Sequence, residues 1–545
     1  MQAVSAPLRT ALAAPVRGAL AVQLTCDVGD TTAAADAAAQ DTGRMAYAGA
    51  PLLARSISAP PAYASFEPQR MVLGARQRIA PQAGQAAALA CGFVSSAICD
   101  ANGRFTAAPC VCFTFMQKHS VPALTLCFGT QSDCLPAAVT VAAYSGSVLL
   151  STKQYVPNAI TFTAENALDG FDKLEISFTS MAAGLHRARL VSVLFGYSAV
   201  FGAQAISDMH IKWQRDPLMR SLPTEKLQCT VAVYNTLTGG QNAAQYNPDN
   251  PAGVWRYLEQ PCPVDARCAL PTAEGVQWVE LGRYYLNGKP AADNMGVQLT
   301  AEGILAYLDA VYTDETYTGT PRTLLALAQA VLAQARLPAP PGGGAPYSLW
   351  AGLGSITTAA PLPAKPLRQC LQYIAHAAGC MVYTGRDGVV YLQPPQTQLC
   401  GEHCGYDTLL EAPAVSKVAP LGAVQCKVYT YAQAENGTWG STTQLYTAAV
   451  ENSTDIDAAT ETVDNPLITD DTLAAGVCAR TAAYLAQRVT YTAAYRGHPA
   501  LDAGDIITLQ TAFSAAAPVR VLTQELSLGS GLSGTLVVKK LAEEA

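Results

Sequence analysis

Charge is scarce in this chain: only 14% of its 545 residues are Asp, Glu, Lys or Arg. Salt bridges cannot dominate such a surface, which must instead be rich in Ser, Thr, Gln, Asn and Ala. Basic clusters are missing too. The net charge is −7 and the longest basic run is Lys539-Lys540, read as the solvated end of a final strand, so a nucleic-acid binder is excluded. The longest charge-free run, Leu337–Ala364 ("LPAPPGGGAPYSLWAGLGSITTAAPLPA"), is full of Pro and Gly. A membrane helix needs ~20 mostly apolar residues that keep helical hydrogen bonds, so this run reads as a loop or linker, with no membrane span. In the opening stretch, "MQAVSAPLRTALAAPVRGALAVQLT", Pro15 and Arg17 interrupt the apolar core before signal-peptide length is reached. The chain reads as soluble.

Signatures of catalysis are also lacking. The six His (His119, His186, His210, His376, His403 and His498) are scattered, and none lies in H-E-x-x-H. No G-x-S-x-G elbow, Walker loop or G-x-G-x-x-G between strand and helix occurs. "GLGS" at 352–355 reads as a flexible loop and "GSGLSG" at 529–534 as a strand turn. The acidic pairs Asp314-Glu315 and Asp470-Asp471 sit in polar turns, whereas a glycosidase pair needs a cleft that drives two carboxyl pKa values apart. These absences weigh against an enzyme. No catalytic, cofactor-binding or metal-binding residue is assigned, and no cofactor is expected.

Cysteine is plentiful, at sixteen, but scattered through strand-like and helix-like segments, where a thiol acts as a small hydrophobe. Closer sets are Cys110/Cys112, Cys262/Cys268 and "CGEHC" (Cys400, His403, Cys404). The last supplies three zinc-type ligands, yet a structural site takes four and no matching pair is evident. Zinc and disulfide readings stand beside reduced thiols, the reading favoured for a chain made in a reducing cytoplasm.

What is present is strand pattern. At this length roughly three or four domains are expected. Residues 1–62 form an Ala-rich extension with a possible strand at Ala19–Thr25, and "DTTAAADAAAQDTGR" reads as a polar loop or weak helix. Residues 63–202 carry short alternating runs ("CVCFTFMQ", "AVTVAAYS", "KLEISFTS", "RARLVSVLFGYS") separated by turn residues, the pattern of a β-sandwich or jelly roll. A second strand-rich region covers 203–302. Helical spacing follows in "AEGILAYLDAVY" and "TPRTLLALAQAVLAQARL", and 415–545 returns to strands broken by one helix, "DTLAAGVCARTAAYLAQRVTY".

One unit is read closely. In "PLRQCLQYIAHAAGCMVYTGRDGVVYLQPP" (366–395), Pro366 suits a first helical turn, and Leu367, Leu371, Ile374 and Ala378 form one apolar stripe. Gly379 is a natural stop, and strands Cys380–Thr384 and Val389–Gln393 flank the turn Gly385-Arg386-Asp387-Gly388. His376, with no partner at i±4, reads as surface or packed scenery rather than a ligand or base.

Several of these segments resemble the hub proteins of phage tail tips and baseplates. The similar pieces are Leu222-Pro223-Thr224-Glu225-Lys226-Leu227, Val231–Asn235, the loop Tyr246–Pro251 and Gly282–Tyr285. The 366–395 unit looks like the helix-hairpin of those hubs, and "YRGHPALDAGDIITLQT" (495–511) is similar to the turn that enters their second barrel. The resemblance covers about 203–541. It implies barrel 1 at 203–302, a helical and α/β insertion at 303–414 and barrel 2 at 415–545, within a mainly β fold with α+β insertions. It also implies a homotrimer that docks the tail tube protein, the tape-measure protein and other baseplate proteins, located in the virion after synthesis in the host cytoplasm. Upstream, "YASFEPQRMVLG" and the 105–197 strands resemble a lectin-like jelly roll found ahead of hubs in phages of Gram-positive hosts. That resemblance implies a host-surface glycan as partner, with Tyr144, Tyr155, Phe162 or His186 as conceivable contacts. A carbohydrate-binding receptor protein, a tail-associated hydrolase and a part of a contractile injection system are the alternative readings.

Overall fold

The computed structural model describes residues 1–42, 44–46, 67, 92–129, 134–203, 205–232, 262–287, 291–292, 296–314, 317–338, 340, 344–433, 435, 439–449, 459–529 and 531–541. Asn235, the loop Tyr246–Pro251, Glu315 and most of "YASFEPQRMVLG" lie outside them. The fold is mainly β, with helices inserted between strand-rich stretches. The chain divides into two compact units, Cys26–Ala199 and Met1–Thr25 with Val200–Ala545. Of the described residues in the stretch 1–62, 1–25 belong to the larger unit and 26–42 and 44–46 to the other.

In the 26–199 unit a five-stranded sheet runs in the order Ala38–Thr42, Cys110–Val121, Leu168–Met181, Pro136–Ser145, Val148–Tyr155. Two three-stranded sheets accompany it. Alternation in the sequence becomes alternation in burial: Val111, Phe113, Leu174, Ile176 and Phe178 point into one core with Phe93, Phe128 and Phe195. The segment expected as a polar loop or weak helix makes a short helix, Thr31–Asp36, capped by Asp30, and then, unexpectedly, the edge strand Ala38–Thr42. Ala33, Ala34, Ala37 and Ala39 pack against the aromatic core.

In the larger unit one sheet path runs Pro263–Thr272, Gly275–Leu286, Gly296–Glu302, Lys226–Ala232, Ile206–Gln214, Ser514–Leu528, Leu532–Lys540, Val489–Tyr495, Ala414–Lys417. Strands from 206–302 and from 489–540 therefore belong to one hydrogen-bonded array. The join is an antiparallel ladder in which His210 to Gln214 face Ser527 to Thr523. Strand Leu399–Cys404 adds in parallel to Ile506–Thr511 at the side. Residues 421–463 leave this path: Leu421–Gln433 pairs antiparallel with Trp439–Ala449 and parallel with Ala459–Val463. Helix Asp471–Ala486 shares a small core with that sheet through Val424, Cys426, Val477 and Cys478.

The 366–395 unit forms as its pattern dictates. Helix Leu367–Ala378 buries Leu367, Leu371, Ile374 and Ala378, and Gly379 ends it at φ 71°, where a side chain would be strained. Burying each Leu or Ile there contributes about 1.5–3 kcal/mol. Strands Met381–Thr384 and Val390–Gln393 follow as a hairpin. Helix Leu324–Ala335, capped by Thr323, packs into the same core. Two expectations fail nearby. The 337–364 stretch is not merely a loop: Tyr347–Leu349 adds to the hairpin as a parallel strand, and Ala351–Ser355, which contains "GLGS", is a 3₁₀ turn. "AEGILAYLDAVY" is a single 3₁₀ turn, Ile304–Tyr307, because Ala301 and Glu302 are taken by the sheet against Leu227 and Lys226. The carbonyls of Leu308 and Ala310 then bind the backbone of Arg368 and Leu367.

Candidate functional site

A dense polar cluster lies under the tip of the 381–393 hairpin. Arg386, one of four turn residues, is only 5% exposed. Its guanidinium lies 4.4 Å from the centre of the Trp213 ring and its Nε is 2.6 Å from Asp502 Oδ1. It also donates to the carbonyls of Pro499, Leu501 and Glu280. One side chain from the helix-hairpin unit therefore grips the strand Ile206–Gln214, the 495–505 turn and the strand Gly275–Leu286.

A second arginine extends the clamp. Arg215 pairs with Glu225 at 2.5 Å, donates to the Thr384 carbonyl at 3.2 Å and lies over the Tyr383 ring at 4.4 Å. Glu225 in turn accepts from the Thr384 backbone N–H at 3.3 Å. Buried charges persist only when paired and hydrogen-bonded, and both arginines meet that condition.

The 495–511 turn that receives Arg386 is itself tied down. Gln524 is fully buried and donates to the His498 carbonyl and the Tyr495 hydroxyl, each at 2.8 Å. Asp505 is buried against the Met1 amino group at 2.5 Å, and burial raises its pKa above the usual carboxylate range. His498 is pushed down to about 4 by burial, with Arg17 and Arg386 adding repulsion. Its Nε2 is 3.8 Å from Glu402. These groups fix a turn.

The residues singled out in the sequence fall elsewhere. His376 is largely enclosed beside Asn465, and burial lowers its pKa to about 4. Cys404 is buried, its thiol pushed up to about 11, while His403 is exposed and bonds Thr508 Oγ1 at 2.9 Å. Among the described residues no group of three or more His, Cys, Asp or Glu is placed to hold a metal ion. Asp314 is spent on Arg322 at 2.5 Å, and Asp470 caps the helix Asp471–Ala486. Lys539 corrects the reading of a solvated strand end: it is 7% exposed, 3.9 Å from the Tyr484 ring, and burial lowers its pKa to about 8. Strand register turns it under that helix rather than outward.

Of the conceivable sugar contacts, His186 is fully buried in a cluster with Glu67 and Arg189, so it cannot meet a glycan. Tyr144 donates to Glu175 at 3.1 Å, and Tyr155 and Phe162 pack edge to face at 5.8 Å against the core. The sequence reading missed Arg386, Arg215, Glu225 and Asp502. The available signal was a charged side chain between glycines at a turn, in a chain that uses charge sparingly.

No family model matches the sequence, and no curated protein matches it. Among solved structures, the chain is similar to the 43 kDa tail protein of prophage MuSo2 from Shewanella oneidensis, with 9% identity and a TM-score of 0.38 over 62% of this chain and 95% of that one. It is similar to the tail protein from Neisseria meningitidis MC58, with 12% identity and a TM-score of 0.39 over 62% of this chain and 92% of that one. It is also similar to an E. coli component of the type VI secretion system that exhibits structural similarity to T4 bacteriophage tail proteins gp27 and gp5, with 11% identity and a TM-score of 0.33 over 62% of this chain and 74% of that one. Likeness at this level carries no conclusion about what the chain does.

Proposed function

We propose that the chain is a structural protein of the phage virion, a tail-tip or baseplate hub, and not an enzyme. The observation that carries this reading is the ladder between His210–Gln214 and Thr523–Ser527. It makes one rigid sheet from two strand regions far apart in sequence, and Arg386 locks the inserted unit beneath it. Such a body suits a ring subunit, whose task is to hold curvature under load. On this reading 203–302 and 415–545 act as the two barrel regions, 303–414 is the scaffold between them, and 63–202 is an accessory sandwich facing the host or the baseplate.

The partners are other copies of the chain in a trimer, the tail tube protein, the tape-measure protein and neighbouring baseplate proteins. Exposed apolar residues fit a surface that is covered in an assembly: Val415, Val418 and Leu410 along one edge, and Phe513 at a hairpin tip. The test is electron microscopy of the purified chain. Three-fold class averages are expected; a field of single particles without rotational symmetry refutes the hub.

A further inference from the structure

Apart from the clamp, a cleft of about 290 Å³ opens between the 216–221 turn, the helix Leu367–Ala378, the strand Ala459–Val463 and the helix Asp471–Ala486. Its lining mixes polar and apolar groups, and the hydrogen-bond directions of several polar ones are set. Asn465, 1% exposed, accepts from Leu467 N–H through Oδ1, which orients its amide. Its Nδ2 donates to the Tyr373 carbonyl at 2.8 Å and faces His376 Nδ1 at 3.1 Å. Nδ1 is therefore the acceptor, and the ring proton sits on Nε2. Tyr373 Oη accepts from Gln369 at 2.9 Å, leaving its own O–H able to donate.

Charges at the cleft are compensated. Arg220 pairs with Glu461 at 3.5 Å, and Asp464 takes Lys427 and the Tyr429 hydroxyl, each at 2.5 Å. One wall is strained: Met219 sits at φ 52°, and Gln372 holds the carbonyls of Met219 and Arg220 at 3.0 and 2.8 Å. A non-glycine residue kept in that region costs of order 1 kcal/mol and marks functional positions often enough to ask what it shapes.

A ligand's chemistry follows from the lining. Because these charges are paired with one another, neither an anion nor a cation meets an uncompensated counter-charge in the cleft. An apolar ligand would cover the His376 Nε2–H and the Tyr373 O–H without offering either an acceptor, at about 1–3 kcal/mol each. A neutral ligand dense in hydroxyls, which both donate and accept, satisfies all of them, and the Tyr373 ring offers an apolar surface for its C–H face. The volume lies at the low end of the roughly 300–1,000 Å³ typical of ligand pockets, enough for one ring and not a chain. We propose that this cleft binds a single neutral sugar residue.

The experiment uses the full chain with glucose, galactose, mannose and N-acetylglucosamine as probes, and glucuronate as a charged control, by saturation-transfer NMR and calorimetry. The expected result is binding of at least one neutral probe with a Kd on the order of 1 mM, near −4 kcal/mol, and weaker binding of glucuronate. Tyr373→Phe and Glu461→Gln should each weaken the neutral probe roughly fivefold, the worth of one net hydrogen bond, with circular dichroism unchanged. No binding of any neutral probe at tens of millimolar overturns the proposal. So does tighter binding of glucuronate, or full-strength binding in both variants, which would move the site elsewhere on the chain.

Discussion

Replacing Arg386 by Ala tests the clamp directly. The substitution removes the cation 2.6 Å from Asp502 Oδ1, leaves the carbonyls of Pro499 and Leu501 without that donor and uncovers the face of Trp213. Removing one member of a buried, hydrogen-bonded pair costs about 3–5 kcal/mol. Asp502 is 31% exposed and so recovers some solvation from water, which places the expected loss near about 3 kcal/mol. A chain with two compact units need not unfold in one step, so a global midpoint is a poor measure. Hydrogen exchange followed by mass spectrometry reads the local stability of 206–214 and 495–511 separately. The expected change is faster exchange in both segments by on the order of 10²-fold, since each 1.36 kcal/mol is tenfold. Arg386→Lys keeps the charge but loses the planar fork and the stacking, and should fall between wild type and Ala. Exchange in both segments unchanged within twofold in Arg386→Ala would refute the clamp.

Acid should loosen the chain through two imidazoles. His376 and His498 are held near 4 in the folded state against 6.5 when unfolded, so the unfolded chain binds more protons between those values. Their contribution is present above about pH 6.5 and is lost as pH falls toward 4, by up to about 3 kcal/mol each. Asp505 works in the opposite sense: its raised pKa favours the folded state at low pH, and that contribution fades as pH rises past 3.8. His376→Gln with His498→Gln should flatten the pH dependence of hydrogen-exchange protection factors in 367–378 and 495–511 between pH 4 and 7; an unchanged pH slope contradicts the burial of neutral rings. Gly379→Ala should cost about 1–2 kcal/mol of local stability in 367–384, read by hydrogen exchange, because φ is 71° and a new Cβ would lie 2.5 Å from Arg480 Nε. Exchange protection equal to wild type would show that the turn can relax.

Local pattern was legible in the sequence wherever a stripe or an alternation met its own partner nearby. The helix Leu367–Ala378 and its hairpin lie within a residue or two of their expected ends. The helix Leu324–Ala335 falls inside its expected segment 320–337, and the strands Cys110–Val121 and Leu168–Met181 contain the expected runs 110–117 and 173–180 but extend beyond them. Failures came where tertiary pairing overrode the local signal. Ala301 and Glu302 have helical neighbours but are claimed by Leu227 and Lys226 across a ladder. Tyr347–Leu349, hidden among prolines and glycines, becomes a strand because Val390–Gln393 has an open side.

The candidate site was the least legible part. Arg386 looks like an ordinary turn residue because Trp213 and Asp502, which give it meaning, come from remote parts of the chain. Lys539 looks solvated for the same reason: nothing near it in sequence announces Tyr484 above it. A period of two or of 3.6 says which face is buried, but not against what.

The account rests on a rigid sheet that serves as one segment of a closed ring. Light scattering on the purified chain at micromolar concentration measures this most directly. The account predicts a particle of three times the 57.0 kDa chain mass; a stable species at the mass of a single chain across that range would contradict it.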